Sequence, residues 1–267
     1  MRDIIFRLLD FINNHKTKDT NYYIALNLLK DIHNIAHINI SVLAETCYTS
    51  PAAITRFCKK IGYSSFQEFK NIAKHENIDN PIDELIDRSL NVVEIGDILQ
   101  DKLYNKMVGW LASMESKINV STVQSLLTMI HEGEKVSFFG TQLSQAMAQD
   151  FQYRLVKCGK LVHAFSDIQE QLADASELNE HSVAIITSPS GRFIERNADL
   201  MKLLRDTKAK VIIITHNIEV ADKHDPELVY HLHGMTYDQT GYSSERYALM
   251  YFFDFAIAFY QQMYPID

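Results

Sequence analysis

Two hydroxyl-bearing turns in the carboxyl half have the residue types to hold an anion. An apolar run ends in Phe138-Phe139-Gly140, and Thr141-Gln142-Leu143-Ser144 leads from it into a helical pattern. Further on, Thr187-Ser188-Pro189-Ser190-Gly191 follows another apolar run and precedes RFIERNADLMKLL. At such strand–turn–helix junctions, free N–H groups and the positive end of a helix meet, and hydroxyls add donors. Two of these turns on neighbouring strands make a plausible phosphate pocket. Taken singly, each is better explained as an N-cap. No Gly-Lys-Ser/Thr follows either turn, which excludes a P-loop, and no Gly-x-Ser-x-Gly elbow is present. The chemistry expected is binding, with no catalytic residue assigned.

A second constellation lies at 41–63. Ser50-Pro51 is an N-cap followed by a first-turn proline, and Gly62 is placed to stop the helix. Ile54, Phe57, Cys58 and Ile61 recur at helical spacing as one apolar stripe. Ala52, Thr55, Arg56 and Lys59 recur on another face. Small residues and cations there suit close approach to a duplex groove: Arg and Lys can serve guanine or phosphate, and Thr and Ala a thymine methyl. With the short helix from Val42 to about Cys47, this spells a helix-turn-helix. Ser50, Pro51, Ala52, Thr55, Arg56 and Lys59 are its expected contacts to a double-stranded DNA operator. A plain helical subdomain with a solvated cationic face is the alternative. Ser65-x-x-Glu68 predicts a capping box for the next helix.

The elements that position these groups differ between the two ends of the chain. Residues 1–76 carry only helical spacing, over 3–13, 21–36, 41–47, 51–60 and 66–75. The stretch 77–117 reads as a helical linker, with Asn80-Pro81 as a breaker. From 118 to 267, apolar runs at 135–139, 160–165, 183–187, 210–215 and 229–232 alternate mostly with helical patterns. Continuous apolar strands spaced by helices predict a doubly wound, parallel, five-stranded α/β sheet of flavodoxin type, binding its ligand at the strands' carboxyl ends.

Composition agrees with a globular chain. Of 267 residues, 46% are apolar and 22% charged, enough to bury a core. The net charge of −8 is uneven: residues 1–76 carry 10 basic and 7 acidic side chains, so the acidic surplus lies in the remainder. A polyanion is expected at the head only. Cys47, Cys58 and Cys158 form neither a disulfide framework nor a paired metal motif. His231-x-His233 puts two imidazoles on one strand face, with His216 and His224 upstream. A further ligand cannot be placed, so neither a metal nor a cofactor is expected. Asp3, Arg7 and Asp10 interrupt the first apolar stretch, and Asp254 interrupts 247–260. The expectation is a cytoplasmic protein with no membrane partner. The apolar helix at 245–263 must be buried, within the chain or between subunits.

The stretch 1–76 resembles the N-terminal domain of the RpiR/MurR family of bacterial sugar-responsive transcription regulators. The resemblance rests on Leu43-Ala44, Thr49-Ser50, Arg56-Phe57, Ile61-Gly62, Phe66 and Glu68-Phe69-Lys70. Tyr48 stands where the turn often has Gly or Asn, and Ala53 where Thr is usual, so an altered turn is expected. The carboxyl half is similar to the sugar isomerase (SIS) domain of the same regulators. Gly140 and Ser144 match its first motif, and Ser188, Ser190 and Gly191 its second. The resemblance implies that Gly140, Thr141, Ser144, Ser188, Ser190 and Gly191 surround the phosphate of a phosphosugar effector, in a homodimer or homotetramer. Two replacements predict an altered pocket. Gln142 stands for a glycine, and its Cβ argues against positive φ. Phe193 removes a hydroxyl and adds bulk. The competing expectations are a phosphosugar isomerase, for which Glu170 or His216 can be nominated as base, and a regulator whose pocket no longer binds sugar.

Overall fold

The computed structural model describes residues 3–15, 17–75, 91–115, 117–233 and 244–266. The chain divides into two compact units, Met1–Pro81 and Ile82–Asp267.

The first unit is helical. It contains α1 (Asp3–Asn14), α2 (Thr20–Lys30), a 3-10 turn (Ile32–Asn34), α3 (Ile40–Thr46), α4 (Pro51–Lys60) and α5 (Phe66–His75). The starts of α2, α3 and α4 are locally encoded. Asp19 accepts from the Tyr22 N–H at 3.0 Å, Asn39 from Ser41 at 2.8 Å and Ser50 from Ala53 at 3.3 Å. Such caps contribute about 1 kcal/mol each. The helix expected over 21–36 ends early: Asp31 leaves helical geometry at φ −112° and ψ 37°, and the Asn34 N–H closes on the Asp31 carbonyl in the 3-10 turn. The capping box at α5 is shifted by one residue. Ser65 Oγ accepts from the Glu68 N–H at 3.1 Å, but the Glu68 carboxylate reaches back to the Ser64 hydroxyl and N–H instead of Ser65. One core unites Ile4, Leu8, Ile24, Leu28, Leu43, Ile54, Phe57 and Phe69.

The second unit begins, among the described residues, with α6 (Val92–Glu115) and α7 (Val120–Glu132). Then come β1 (Val136–Phe139), α8 (Leu143–Lys157), α9 (Ile168–Ser176), β2 (Val183–Thr187), α10 (Arg192–Arg196) and α11 (Ala198–Thr207). The unit closes with β3 (Lys210–Thr215), α12 (Ile218–Asp222), β4 (Leu228–His231) and α13 (Glu245–Met263). All strand pairs are parallel, in the order β1-β2-β3-β4. Side chains alternate between two buried faces. Phe138, Ile185, Ile212 and Ile214 pack with Trp110, Phe151 and Phe253, whereas Phe139, Ile186 and Ile213 pack with Leu200, Met201 and Leu204. α13 buries Leu249, Phe252, Phe253 and Tyr260 within this core, while Phe255 and Phe259 are half-buried and Met250 is exposed.

Among the described residues the sheet has four strands, where five were expected. The segment 160–165 meets β1 at a single residue, through the Phe138 N–H to the His163 carbonyl (2.7 Å) and the His163 N–H to the Val136 carbonyl (2.8 Å). Glutamine side chains of α8 hold the rest. Gln152 donates to the Val162 carbonyl at 2.7 Å, Gln149 to Ala164 at 3.0 Å and Gln145 to Phe165 at 2.8 Å. These bonds satisfy a sheet-edge backbone without extending the ladder. The segment still occupies the place outside β1 that completes a flavodoxin-type order. The reversal point therefore falls between β1 and β2, which is where such sheets open a crevice. The helix expected after Gly191 is broken in two. Asn197 Nδ2 takes the Phe193 carbonyl at 2.7 Å, and this competes with the helix's own bonds.

Candidate functional site

In the first unit, α3 and α4 form the helix pair. Leu43 and Ala44 of α3 are buried, as are Ile54, Phe57 and Cys58 of α4. Burial pushes the Cys58 thiol up to about 12, which leaves it a packing group. The opposite side of α4 is open: Ser50, Pro51, Ala52, Arg56 and Lys59 are exposed, and Thr55 is partly so. Thr55 donates its hydroxyl to the Pro51 carbonyl at 3.1 Å, inside its own helix, leaving its methyl and the two cations as the outward chemistry.

The turn before α4 keeps the geometry of a glycine turn. The Thr49 N–H donates to the Ala44 carbonyl at 2.8 Å and the Tyr48 N–H to Glu45 at 3.0 Å, the paired bonds of a Schellman motif. Tyr48 takes φ 51° and is 99% exposed. The expected rebuilding of the turn does not occur, because a solvated ring leaves the left-handed backbone room to form. α4 ends in the same motif, through Tyr63 to Cys58 and Gly62 to Lys59. There Gly62 has φ 92°, and a Cβ would collide with Arg7 Nη1. That guanidinium donates to the Ile61 carbonyl at 2.8 Å and lies over the Tyr63 ring.

In the second unit the two serine turns follow paired strands. Phe139 pairs with Ile186, so Gly140 emerges beside Thr187. A Cβ on Gly140 would stand 3.1 Å from the Thr187 carbonyl and 3.5 Å from Ser144 Cβ. Gln171 braces the turn: its Nε2 donates to the Gly140 carbonyl at 2.9 Å, and its Oε1 accepts from the Gly140 N–H at 3.3 Å. Ser144 is buried and Thr141 exposed. Gln142 takes φ 53° and ψ −125° at the start of α8. The residue expected to forbid positive φ adopts it, and its exposed side chain points the added bulk away from the core.

Ser188 Oγ accepts from the Phe193 N–H at 3.2 Å, and the Ser188 N–H donates to the Ile214 carbonyl at 3.0 Å. Ser190 Oγ accepts from Arg192 Nε at 3.0 Å. Gly191 has φ 80°, and a Cβ there would press on Asn217 and Val220 at about 3.3 Å. Phe193 is buried in the core with Ile194 and Val220, so its bulk does not fill the turn. Buried polar atoms remain without a partner nearby, Gln145 Oε1 and Thr187 Oγ1 among the described residues.

The structure thus brings Gly140, Ser144 and the start of the second turn together at the ends of β1 and β2. Ser190 opens instead onto a cleft of about 630 Å³ over the ends of β3 and β4, shared with Arg192, His216, Asn217, Glu219 and His231. Sequence reasoning noticed His216 and His231 but not this cleft. The available signal was a His-Asn pair directly after an apolar run. Glu170 lies exposed on α9. No described helix is long and apolar enough to cross a membrane.

Comparison with known proteins assigns both units. Residues 6–78 match the helix-turn-helix domain of the rpiR family, and residues 129–230 match the SIS domain. An HTH-type transcriptional regulator of Clostridium perfringens is 24% identical over 84% of this chain and 81% of its own length. The regulator RpiR of Escherichia coli K12 is 24% identical over 67% of this chain and 59% of its own. A bifunctional protein glk of Burkholderia mallei is 26% identical over 72% of this chain, which spans 29% of that relative. Among solved structures, Vibrio vulnificus NanR complexed with ManNAc-6P has a TM-score of 0.53 at 18% identity, covering 98% of this chain and 92% of that one. That likeness concerns the fold. The chain thus carries an rpiR-family helix-turn-helix domain followed by a SIS domain, and it is homologous to RpiR regulators.

Proposed function

We propose that the protein is a transcription regulator of sugar metabolism or transport genes, controlled by a phosphosugar. The observation that carries this is α4: its apolar stripe is spent on the core, and Ser50, Pro51, Ala52, Arg56 and Lys59 are left on an open face. A helix with that division of labour enters a major groove amino end first. Thr55 adds a methyl to the same face. In this assignment residues 1–76 are the DNA-binding domain, 77–117 a helical linker and 118–267 the sensor.

The phosphate of the effector sits at Gly140, Thr141, Ser144, Ser188 and Gly191, with Ser190 at the edge toward the neighbouring cleft. Support comes from the retained positive φ at Gln142 and Gly191 and from the outward-turned Gln142 side chain. The RpiR-type relatives are regulators, and the NanR structure holds a sugar phosphate. One recognition helix reads too few bases, so the protein acts as a homodimer or homotetramer on half-sites about one helical turn apart. The exposed Tyr104, Val108 and Leu111 of α6 are apolar surface available for that pairing. The effector favours one arrangement of sensor units and so biases the spacing of the heads.

The protein works in the cytoplasm, with no catalytic step. Genome-wide footprinting tests this: occupied sites should cluster beside sugar-transport or catabolic genes. A panel of hexose and amino-sugar phosphates should then change affinity for those sites. Turnover of a phosphosugar by the purified chain would favour the isomerase alternative.

A further inference from the structure

The cleft over β3 and β4 is built from groups that the serine turns do not supply. His216 directly follows β3, and His231 ends β4, paired at Thr215. Their rings stack with centroids 5.6 Å apart, and His233 lies 4.1 Å from His231. His216 Nδ1 donates to the Leu232 carbonyl at 3.2 Å, which fixes the ring and leaves Nε2 for the cleft. Arg192 stands at the mouth, oriented by Ser190 Oγ.

The charges facing the space are few. Among the described residues Arg192 is offset by Glu219, so with neutral imidazoles their lining carries no net charge. Protonation of His231 makes it positive. Burial holds the His231 ring below the usual imidazole range, and the charges of His233 and His216 add to this. His233 is held down by burial, Lys117 and His216. An entering anion reverses that balance by compensating the positive charge.

We propose that this cleft is an oxyanion subsite in which Arg192, His216 and His231 hold a phosphate or carboxylate group, the His231 ring taking up a proton as the anion binds. The subsite shares only Ser190 with the serine turns, so it can fail while the phosphosugar proposal stands, and the reverse.

Sulfate is the probe, because its charge does not change between pH 6 and pH 8. Histidine ring signals of the full chain are followed by NMR during titration with sodium sulfate at constant ionic strength. The expected result is perturbation of the His216 and His231 rings, with sulfate bound about tenfold or more tightly at pH 6 than at pH 8. His231→Gln should abolish most of that pH dependence, whereas His216→Gln should weaken sulfate binding at both pH values. The wild-type comparison stands even if a variant folds poorly. Acetate as a second titrant tells the two ligand sources apart: stronger sulfate binding marks a phosphate-type group, stronger acetate binding a carboxylate. Sulfate affinity equal at both pH values would overturn the proposal. So would zinc moving these rings where neither anion does, since the cluster would then be a metal site.

Discussion

Tyr48 and Gly62 occupy the same position of the same motif at the ends of consecutive helices. Each is the left-handed residue of a Schellman turn, with φ 51° for the tyrosine and 92° for the glycine. One pays for a Cβ in that conformation and the other does not. Because the Tyr48 ring is solvated, Tyr48→Gly should stabilise the first unit by about 1 kcal/mol. Calorimetry of the full chain checks this, and a lowered transition temperature would mean that the ring has an undetected partner.

Gly62→Ala should act in the opposite sense. The added Cβ meets Arg7 Nη1 and disturbs its bond to the Ile61 carbonyl. A loss of about 1–3 kcal/mol is expected, from backbone strain plus a weakened charge-assisted hydrogen bond. Arg7→Ala in the Gly62→Ala background should lose less further stability than in wild type, because part of the interaction is already gone. Additive losses in the four-way comparison would show that the two residues are not coupled.

Gln142 offers a parallel test in the sensor. Gln142→Gly should raise the stability of the second unit by about 1 kcal/mol, by removing the cost of φ 53° from an exposed residue. Phosphosugar binding should survive the change, since the turn already has the glycine-like backbone. Loss of binding would mean that the amide itself contacts the effector.

Glu68 gives a pH signature. The Ser64 hydroxyl and N–H hold its carboxyl below the usual glutamate range. A depressed folded value means that the bond helps above the unfolded pKa and is lost as pH falls through the folded one. Wild type and Glu68→Gln should therefore differ in thermal midpoint at neutral pH and converge in acid. A gap that persists in acid would assign the effect to packing.

Much of this was legible in sequence because the signals are local. Ser50-Pro51, the Ile54, Phe57, Cys58 stripe and Gly62 bound α4 to the residue. The β2 and β3 runs announce strands buried on both faces. Misreadings came where a side chain competes for backbone. Asn197 breaks the helix after Gly191, and Gln145, Gln149 and Gln152 divert 160–165 from the sheet. Tyr48 and Gln142 were misjudged because propensity speaks against positive φ, while the surrounding turn outweighs about 1–2 kcal/mol. The cleft at His216 and His231 was invisible because it needs the register of β3 against β4.

The central claim is that the open face of α4 reads DNA. The direct measurement is fluorescence anisotropy of the full chain on an operator fragment found by footprinting, over a range of salt, for wild type, Arg56→Ala and Lys59→Ala. Either variant should cost about 1–3 kcal/mol on the operator alone if its residue reads a base. A phosphate contact should instead weaken every sequence alike and lower the salt slope by about one unit. Binding unchanged in both variants would contradict the account, because the groove would then belong to another helix.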